Sequence, residues 1–240
     1  MLALFRFPFP AMGSRCEVRL YARDEASASA SAEAAIADVR RLDAKFSRYR
    51  ADSITAEINR VAAAGGAIDV DAETSTLLDY AATCFEQSDG LFDITSGVLR
   101  EAWSSDRKTL PEPALLEALL ARVGWNKVRW DRPRVAFGGA GMGLDFGGIV
   151  KEYAADRAAV ICAEAGFKHG LVDLGGDIKI IGPHPDGSPW IIGIQHPRHR
   201  DAVLTTIAML MEERGPAWLA EFGLPHVWMD RDLRIGGCAI

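Results

Sequence analysis

Two glycine pairs, each beside an aspartate, stand at the two ends of one expected helix. Gly143-Leu144-Asp145-Phe146-Gly147-Gly148-Ile149-Val150-Lys151 precedes it, and Leu171-Val172-Asp173-Leu174-Gly175-Gly176-Asp177 follows it. Glycine has no Cβ, so such loops let a backbone approach a phosphate or a metal closely. Lys151 falls just inside the helix, where its ammonium joins the positive N-terminal end of the helix dipole. This arrangement suits the holding of a phosphorylated ligand. A tight strand-to-helix turn with a capping aspartate explains the first pair equally well. The segment is neither G-x-x-x-x-G-K-[ST] nor G-x-G-x-x-G, which argues against a P-loop and a dinucleotide fingerprint.

Asp173 interrupts an apolar strand, and a carboxylate there needs a hydrogen bond, a metal or a cation to offset its burial. That favours a functional role for Asp173. Asp177 divides evenly between such a role and accepting from the amides of its own loop. Asp201 and Thr205, four residues apart, project from one helical face. With a nearby backbone carbonyl they make an all-oxygen set suited to Mg²⁺. Taken singly, Asp201 reads as a helix N-cap and Thr205 as a solvated or core-edge residue. The step Leu91-Phe92-Asp93 offers an acid after an aromatic, either for a ligand's polar rim or to cap the next segment. Met12 could line a flat ring, although an ordinary apolar entry to a strand is the stronger reading. Tyr49 could stack on a ring or be a plain surface tyrosine. The five histidines show no metal-ligand spacing, and no Ser or Cys sits in a nucleophile elbow.

Periodicity places these residues on elements. Ser14 to Tyr21 alternates as a strand, and Ala26 to Phe46 carries helical spacing. Ser53 opens a helix stopped by Gly65-Gly66, and Ser75 to Ser88 forms another that ends at Gly90. A helix from Pro113 to Val123 precedes short strands at Lys127–Trp130 and Arg134–Phe137. Glu152 to Ala165 is helical, followed by strands at 170–174, 178–181 and 191–195, a helix at 201–213 and a hairpin of 227–229 with 233–235. Strands in antiparallel-style runs between helices argue α+β over a doubly wound sheet. The expectation is a single domain, 1–240.

Hydrophobic residues make up 49% and charged residues 25%, the usual proportions of a globular protein. A net charge of −6, without a basic run interleaved by aromatics, gives no reason to expect nucleic acid. The four cysteines are far apart and are expected to be reduced and mostly buried. No apolar run reaches the length of a membrane span, and the apolar N-terminus, broken by Arg6 and two prolines, reads as fold rather than signal peptide. The expected compartment is the cytoplasm.

In combination and in order, these pieces resemble the ApbE family, the FAD:protein FMN transferases. The resemblance runs through Met12-Gly13, Phe46-Ser47-Arg48-Tyr49 on to Ser53 and Asn59, Gly90 to Thr95, Leu144-Asp145 to Asp156-Arg157, Val172 to Asp177, Pro189 to Ile194, and Asp201 to Thr206. It implies an α+β fold of two related strand–helix halves with mostly antiparallel sheets. It also implies FAD as substrate, Mg²⁺ as metal, and a flavoprotein acceptor whose Thr or Ser hydroxyl receives FMN. Some members instead hydrolyse FAD to FMN and AMP, and an FAD-binding protein impaired in catalysis is the third alternative. Carried over, Met12, Tyr49, Leu91, Phe92, Asp93, Asp145 and Lys151 would contact FAD. The Gly148 carbonyl with the side chains of Asp201 and Thr205 would hold the metal. No catalytic residue, acceptor protein or oligomeric state follows from it, and the family makes the periplasm the alternative compartment.

Two departures stand out. Glu152 follows Lys151 where the family more often has glycine. Family members also carry several tens of residues, including a Thr-Ser-Gly turn and a His-x-x-x-Pro-x-x-Gly motif, before the Asp-x-x-x-Thr helix. Here Pro197-Arg198-His199-Arg200 runs directly into Asp201, so the sequence has an internal deletion or lacks a segment near 198–201. FAD and metal binding therefore rest on more residues than the transfer step does.

Overall fold

The computed structural model describes residues 1–102, 111–191, 214, 217–218, 221, 226–229 and 234–238. Its elements run β1 (Ala3–Ala11), β2 (Ser14–Ala22), α1 (Glu25–Phe46), α2 (Ile54–Ala63), β3 (Ala67–Asp69), α3 (Ala72–Gln87), α4 (Pro113–Leu120), β4 (Val128–Asp131), β5 (Arg134–Phe137), α5 (Val150–Glu164), β6 (Gly170–Leu174), β7 (Asp177–Gly182), β8 (His226–Met229) and β9 (Ile235–Cys238). Short 3-10 turns cover Ile94–Glu101, Trp125–Lys127 and Phe146–Gly148. Every strand pairing among the described residues is antiparallel, so the fold is α+β as expected. The chain divides into two compact units, Met1–Ile58 with Phe146–Val203, and Asn59–Asp145 with Leu204–Ile240.

The first unit is a four-stranded sheet in the order β1-β2-β6-β7, with α1 against β1 and β2 and α5 against β6 and β7. Strand β1 was not expected, because Pro8 and Pro10 read as breakers. The prolines are two residues apart, so both missing N–H groups fall on one side of the strand. An edge strand can leave that side unpaired. Phe5, Phe7, Phe9 and Ala11 alternate onto the other, increasingly buried face. Alanines make the helix packing close: Ala28, Ala32 and Ala35 of α1 and Ala154, Ala155, Ala158 and Ala159 of α5 are all buried. Asp24 caps α1 by accepting from the Ser27 amide at 2.8 Å. Asp38 of α1 then receives Arg157 of α5 at 3.0 Å.

The second unit holds the three-stranded sheet β3-β5-β4, the helices α3 and α4, and the β8–β9 hairpin. Helix α3 begins three residues before the expected Ser75, because Asp71 caps it through the amides of Glu73 and Thr74, both at 3.0 Å. Strand β9 starts at Ile235, where sequence spacing has the strand ending, and takes in Gly236-Gly237 by pairing them with Trp228 and Val227. Glycine favours a loop, but the ladder overrides that preference. Of the expected strand at 191–195 only Ile191 is described, outside any strand, and the expected helix at 201–213 lies outside the described residues. Cys16, Cys84 and Cys162 are buried. Among the described residues no helix is long and apolar enough to cross a membrane.

Candidate functional site

In the first unit, two tight turns meet at one end of the sheet. Met12-Gly13 joins β1 to β2 with φ of 50° and 68°, and Gly175-Gly176 joins β6 to β7 with φ of 71° and 105°. Two consecutive residues of positive φ match the twist of a hairpin, which is why such turns usually carry glycine or asparagine. Met12 is a strained choice there, and its amide is tied down by donating to Asp43 Oδ2 of α1 at 2.8 Å. Met12 therefore sits in a hairpin turn, not before the first strand as its sequence suggests. The neighbouring strands bring the turns together, with Cys16 opposite Leu174. A Cβ on Gly175 would lie 2.5 Å from Ser14 Cβ, so only glycine fits at the junction.

Lys151, in the first turn of α5, reaches this junction. Its ammonium lies 3.3 Å from Ser14 Oγ and 3.8 Å from Asp177 Oδ2. Burial pushes the Asp177 carboxyl up, Lys151 opposes that, and the nearby Asp173 adds to it. Burial also raises the Cys16 thiol, against a bond to the Ala11 carbonyl and the charge of Lys151. The sequence favours a functional role for Asp173 and divides evenly for Asp177. Asp173 accepts the Gly176 amide at 2.8 Å and so closes the turn, while Asp177 faces the cation. Gly148 ends the 3-10 turn that precedes α5 and is half-buried. Tyr49 is 81% exposed, and Arg48 both stacks on its ring, 4.8 Å from the centroid, and donates to its hydroxyl.

In the second unit, Asp145 lies outside the strands, just before the 3-10 turn at Phe146. A side chain does the work of a neighbouring strand. Asn59 Oδ1 accepts the Leu144 amide at 2.7 Å, and its Nδ2 donates to the Leu144 carbonyl at 3.0 Å. The Asp145 amide then donates to the Ile94 carbonyl at 2.8 Å, and Arg100 lies 3.8 Å from Asp145 Oδ2. Gly97 permits this approach, since a Cβ there would fall 2.9 Å from Asp145 Cβ. Asp93 caps the turn at Ile94: Oδ1 accepts from the Thr95 amide and hydroxyl, and Oδ2 from the Trp125 amide at 2.9 Å. Phe92 is buried and Leu91 is 38% exposed.

The structure thus brings Met12, Lys151 and Asp177 to one sheet end, and Asp93, Asp145 and Asn59 into one hydrogen-bonded frame. Asp43, Ser14, Gly97 and Arg100 escaped the sequence, because nothing local marks a residue whose partner is far away. Asp201 and Thr205 lie outside the described residues. Among the described residues no group of three or more His, Cys, Asp or Glu could hold a metal ion.

Comparison with known proteins gives the same family that the ordered motifs resemble. The model of the ApbE family matches residues 12–215. An FAD:protein FMN transferase of Treponema pallidum is 32% identical over 183 residues, covering 71% of this chain and 50% of that protein. One from Chlamydia pneumoniae is 31% identical over 163 residues, covering 63% and 49%. The crystal structure of an ApbE protein from Thermotoga maritima superposes with a TM-score of 0.75 at 31% identity, covering 84% of this chain and 66% of that one. The chain spans about half the length of the curated relatives it matches.

Proposed function

The chain belongs to the ApbE family, and from that we propose that it is an FAD:protein FMN transferase acting with Mg²⁺ on a flavoprotein acceptor. In the proposed reaction a Thr or Ser hydroxyl oxygen of the acceptor attacks the FMN phosphorus of FAD. The bond from that phosphorus to the bridging oxygen breaks, AMP leaves, and the hydroxyl proton passes to a general base. The whole chain, 1–240, is read as one ApbE-like domain.

One observation carries the reading: Lys151 is held at a junction of two tight turns, with its ammonium between Ser14 and Asp177. A fixed cation beside close-approach backbone is what a pyrophosphate needs. The relatives' common name, FAD:protein FMN transferase, supplies the substrate class. Met12, Tyr49 and Asp145 are assigned to FAD with Lys151. The stretch Leu91-Phe92-Asp93 is assigned to it through its backbone and the exposed Leu91, because the Asp93 carboxylate already serves Thr95 and Trp125.

The proposed metal ligands are the Gly148 carbonyl, the Asp201 carboxylate and the Thr205 hydroxyl, hard oxygen donors of the kind Mg²⁺ prefers. Gly148 fits by being backbone at the end of a defined turn. Bound there, the metal would neutralise charge building on the pyrophosphate as the bond to AMP breaks.

The test is incubation with FAD, Mg²⁺ and a threonine-bearing acceptor, followed by acceptor mass and free AMP. A mass gain equal to FMN supports transfer. AMP with free FMN makes the protein a pyrophosphatase, and bound FAD without product makes it a flavin-binding protein. Failure to bind FAD would refute the functional reading. Asp201→Ala should abolish Mg²⁺-dependent turnover with the fold intact, and undiminished turnover would remove the metal role.

A further inference from the structure

We propose that Asp177 is a positioning residue which, together with the Ser14 hydroxyl, aims the Lys151 ammonium at the phosphate of the bound ligand. The proposal rests on the FAD reading above and extends it to residues that the carried-over ligand contacts do not include. A lysine side chain has four rotatable bonds, and holding its charge at one point costs rotamer entropy. Here that cost is met before any ligand arrives. Ser14 reaches the ammonium from the start of β2 and Asp177 from the start of β7, so partners on two strands fix its place. An ammonium has three N–H donors; Ser14 takes one at 3.3 Å and Asp177, at 3.8 Å, holds the group by charge, so N–H donors remain for a phosphate oxygen. The Lys151 side chain is only 26% exposed and that of Asp177 15%, so the pair is shielded from much of the solvent.

Asp177 is ill-suited to a purely structural part. Burial disfavours its ionised form, the charge of Lys151 offsets part of that, and Asp173 adds to it. A carboxylate kept for stability would be replaced by asparagine only at a loss, whereas here the swap removes a charge that the fold resists. The opposing possibility is that Asp177 merely cancels the charge of Lys151, in which case removing it would strengthen phosphate binding.

The experiment measures FAD and riboflavin affinity by flavin fluorescence on the full chain, for the wild type and for Lys151→Met, Asp177→Asn and Asp177→Glu. Riboflavin lacks the phosphates and reports any general damage to the flavin site. Lys151→Met should weaken FAD by about 10- to 100-fold, the scale of a lost charge-assisted hydrogen bond. Asp177→Asn should weaken it about 3- to 10-fold, a part of that loss, leave riboflavin within about twofold and melt no lower than the wild type at neutral pH. Asp177→Glu should retain most of the affinity. Equal or tighter FAD binding by Asp177→Asn overturns the proposal, as does an equal loss for riboflavin. If FAD binds and only Lys151→Met weakens it, the positioning role alone fails. If the wild type binds no FAD, the functional reading fails and takes this proposal with it.

Discussion

Asn59→Ala tests whether one side chain stands in for a β-strand. Leu144 is only 2% exposed, and both of its backbone groups are held by the Asn59 amide at 2.7 and 3.0 Å. Truncation leaves a buried N–H and a buried C=O without their partner. Each such group costs about 1–3 kcal/mol when left unmade. Asn59 itself is half-buried, so water can reach part of the vacated space. The expected loss is therefore about 2–4 kcal/mol, below the simple sum of the two upper limits. Urea unfolding should show a lower midpoint with an unchanged slope. Asp145 follows Leu144 directly, so FAD binding should weaken as well.

Asn59→Asp sharpens the test. The ionised carboxylate can still accept the Leu144 amide but has no proton for the Leu144 carbonyl, and two oxygens then face each other. Protonation restores the donor, so the folded state raises the pKa of the introduced group. The deficit relative to wild type should be largest at neutral pH and shrink as the pH falls through that raised value. A loss below about 0.5 kcal/mol for Asn59→Ala, within the range of an ordinary surface change, would refute the clamp. A pH-independent deficit for Asn59→Asp would refute the account of its donor.

Gly175→Ala and Gly13→Ala separate strain from clash in the two turns. Both residues have positive φ, but a Cβ meets Ser14 at 2.5 Å in the first case and nothing within 4 Å in the second. Thermal unfolding should register about 1 kcal/mol for Gly13→Ala and about 2–4 kcal/mol for Gly175→Ala, and equal losses would contradict the close approach of the turns. Asp38, 13% exposed, is raised by burial, but the Arg157 and Arg41 bonds outweigh this and its pKa is net lowered. Its contribution is present above the ordinary carboxylate value of about 4 and is lost as the pH falls through the folded value. Asp38→Asn should cost stability at neutral pH and flatten the acid side of the stability curve, and an acid limb as steep as the wild type's would exclude the pair as its source.

Elements with strong local patterns were legible in the sequence. The spacing of Ala35, Val39, Leu42 and Phe46 marks α1, and the alternation of Cys16, Val18 and Leu20 marks β2, because burial on one face needs no knowledge of the partner. Strand β1 was hidden by its prolines, although Phe5, Phe7 and Phe9 carry the same alternation. Only the place of β1 at the sheet edge makes those prolines harmless. The segment at Leu144-Asp145 is no strand, yet the Asn59 side chain supplies Leu144 with the two backbone partners a strand would have given it.

The sequence by itself determined the α+β class, the family and the order of the motifs, since these depend on residue types and spacings along the chain. Only the tertiary structure decided what each glycine and aspartate does. Asp173 and Asp177 stand four residues apart beside the same glycines, and nothing local tells which one closes the turn. The decision lies with Lys151 on α5 and Ser14 on β2, whose places are set by helix and strand packing over long sequence separations. The glycine–aspartate pattern identified a close approach, and the packing of distant elements determined which groups approach.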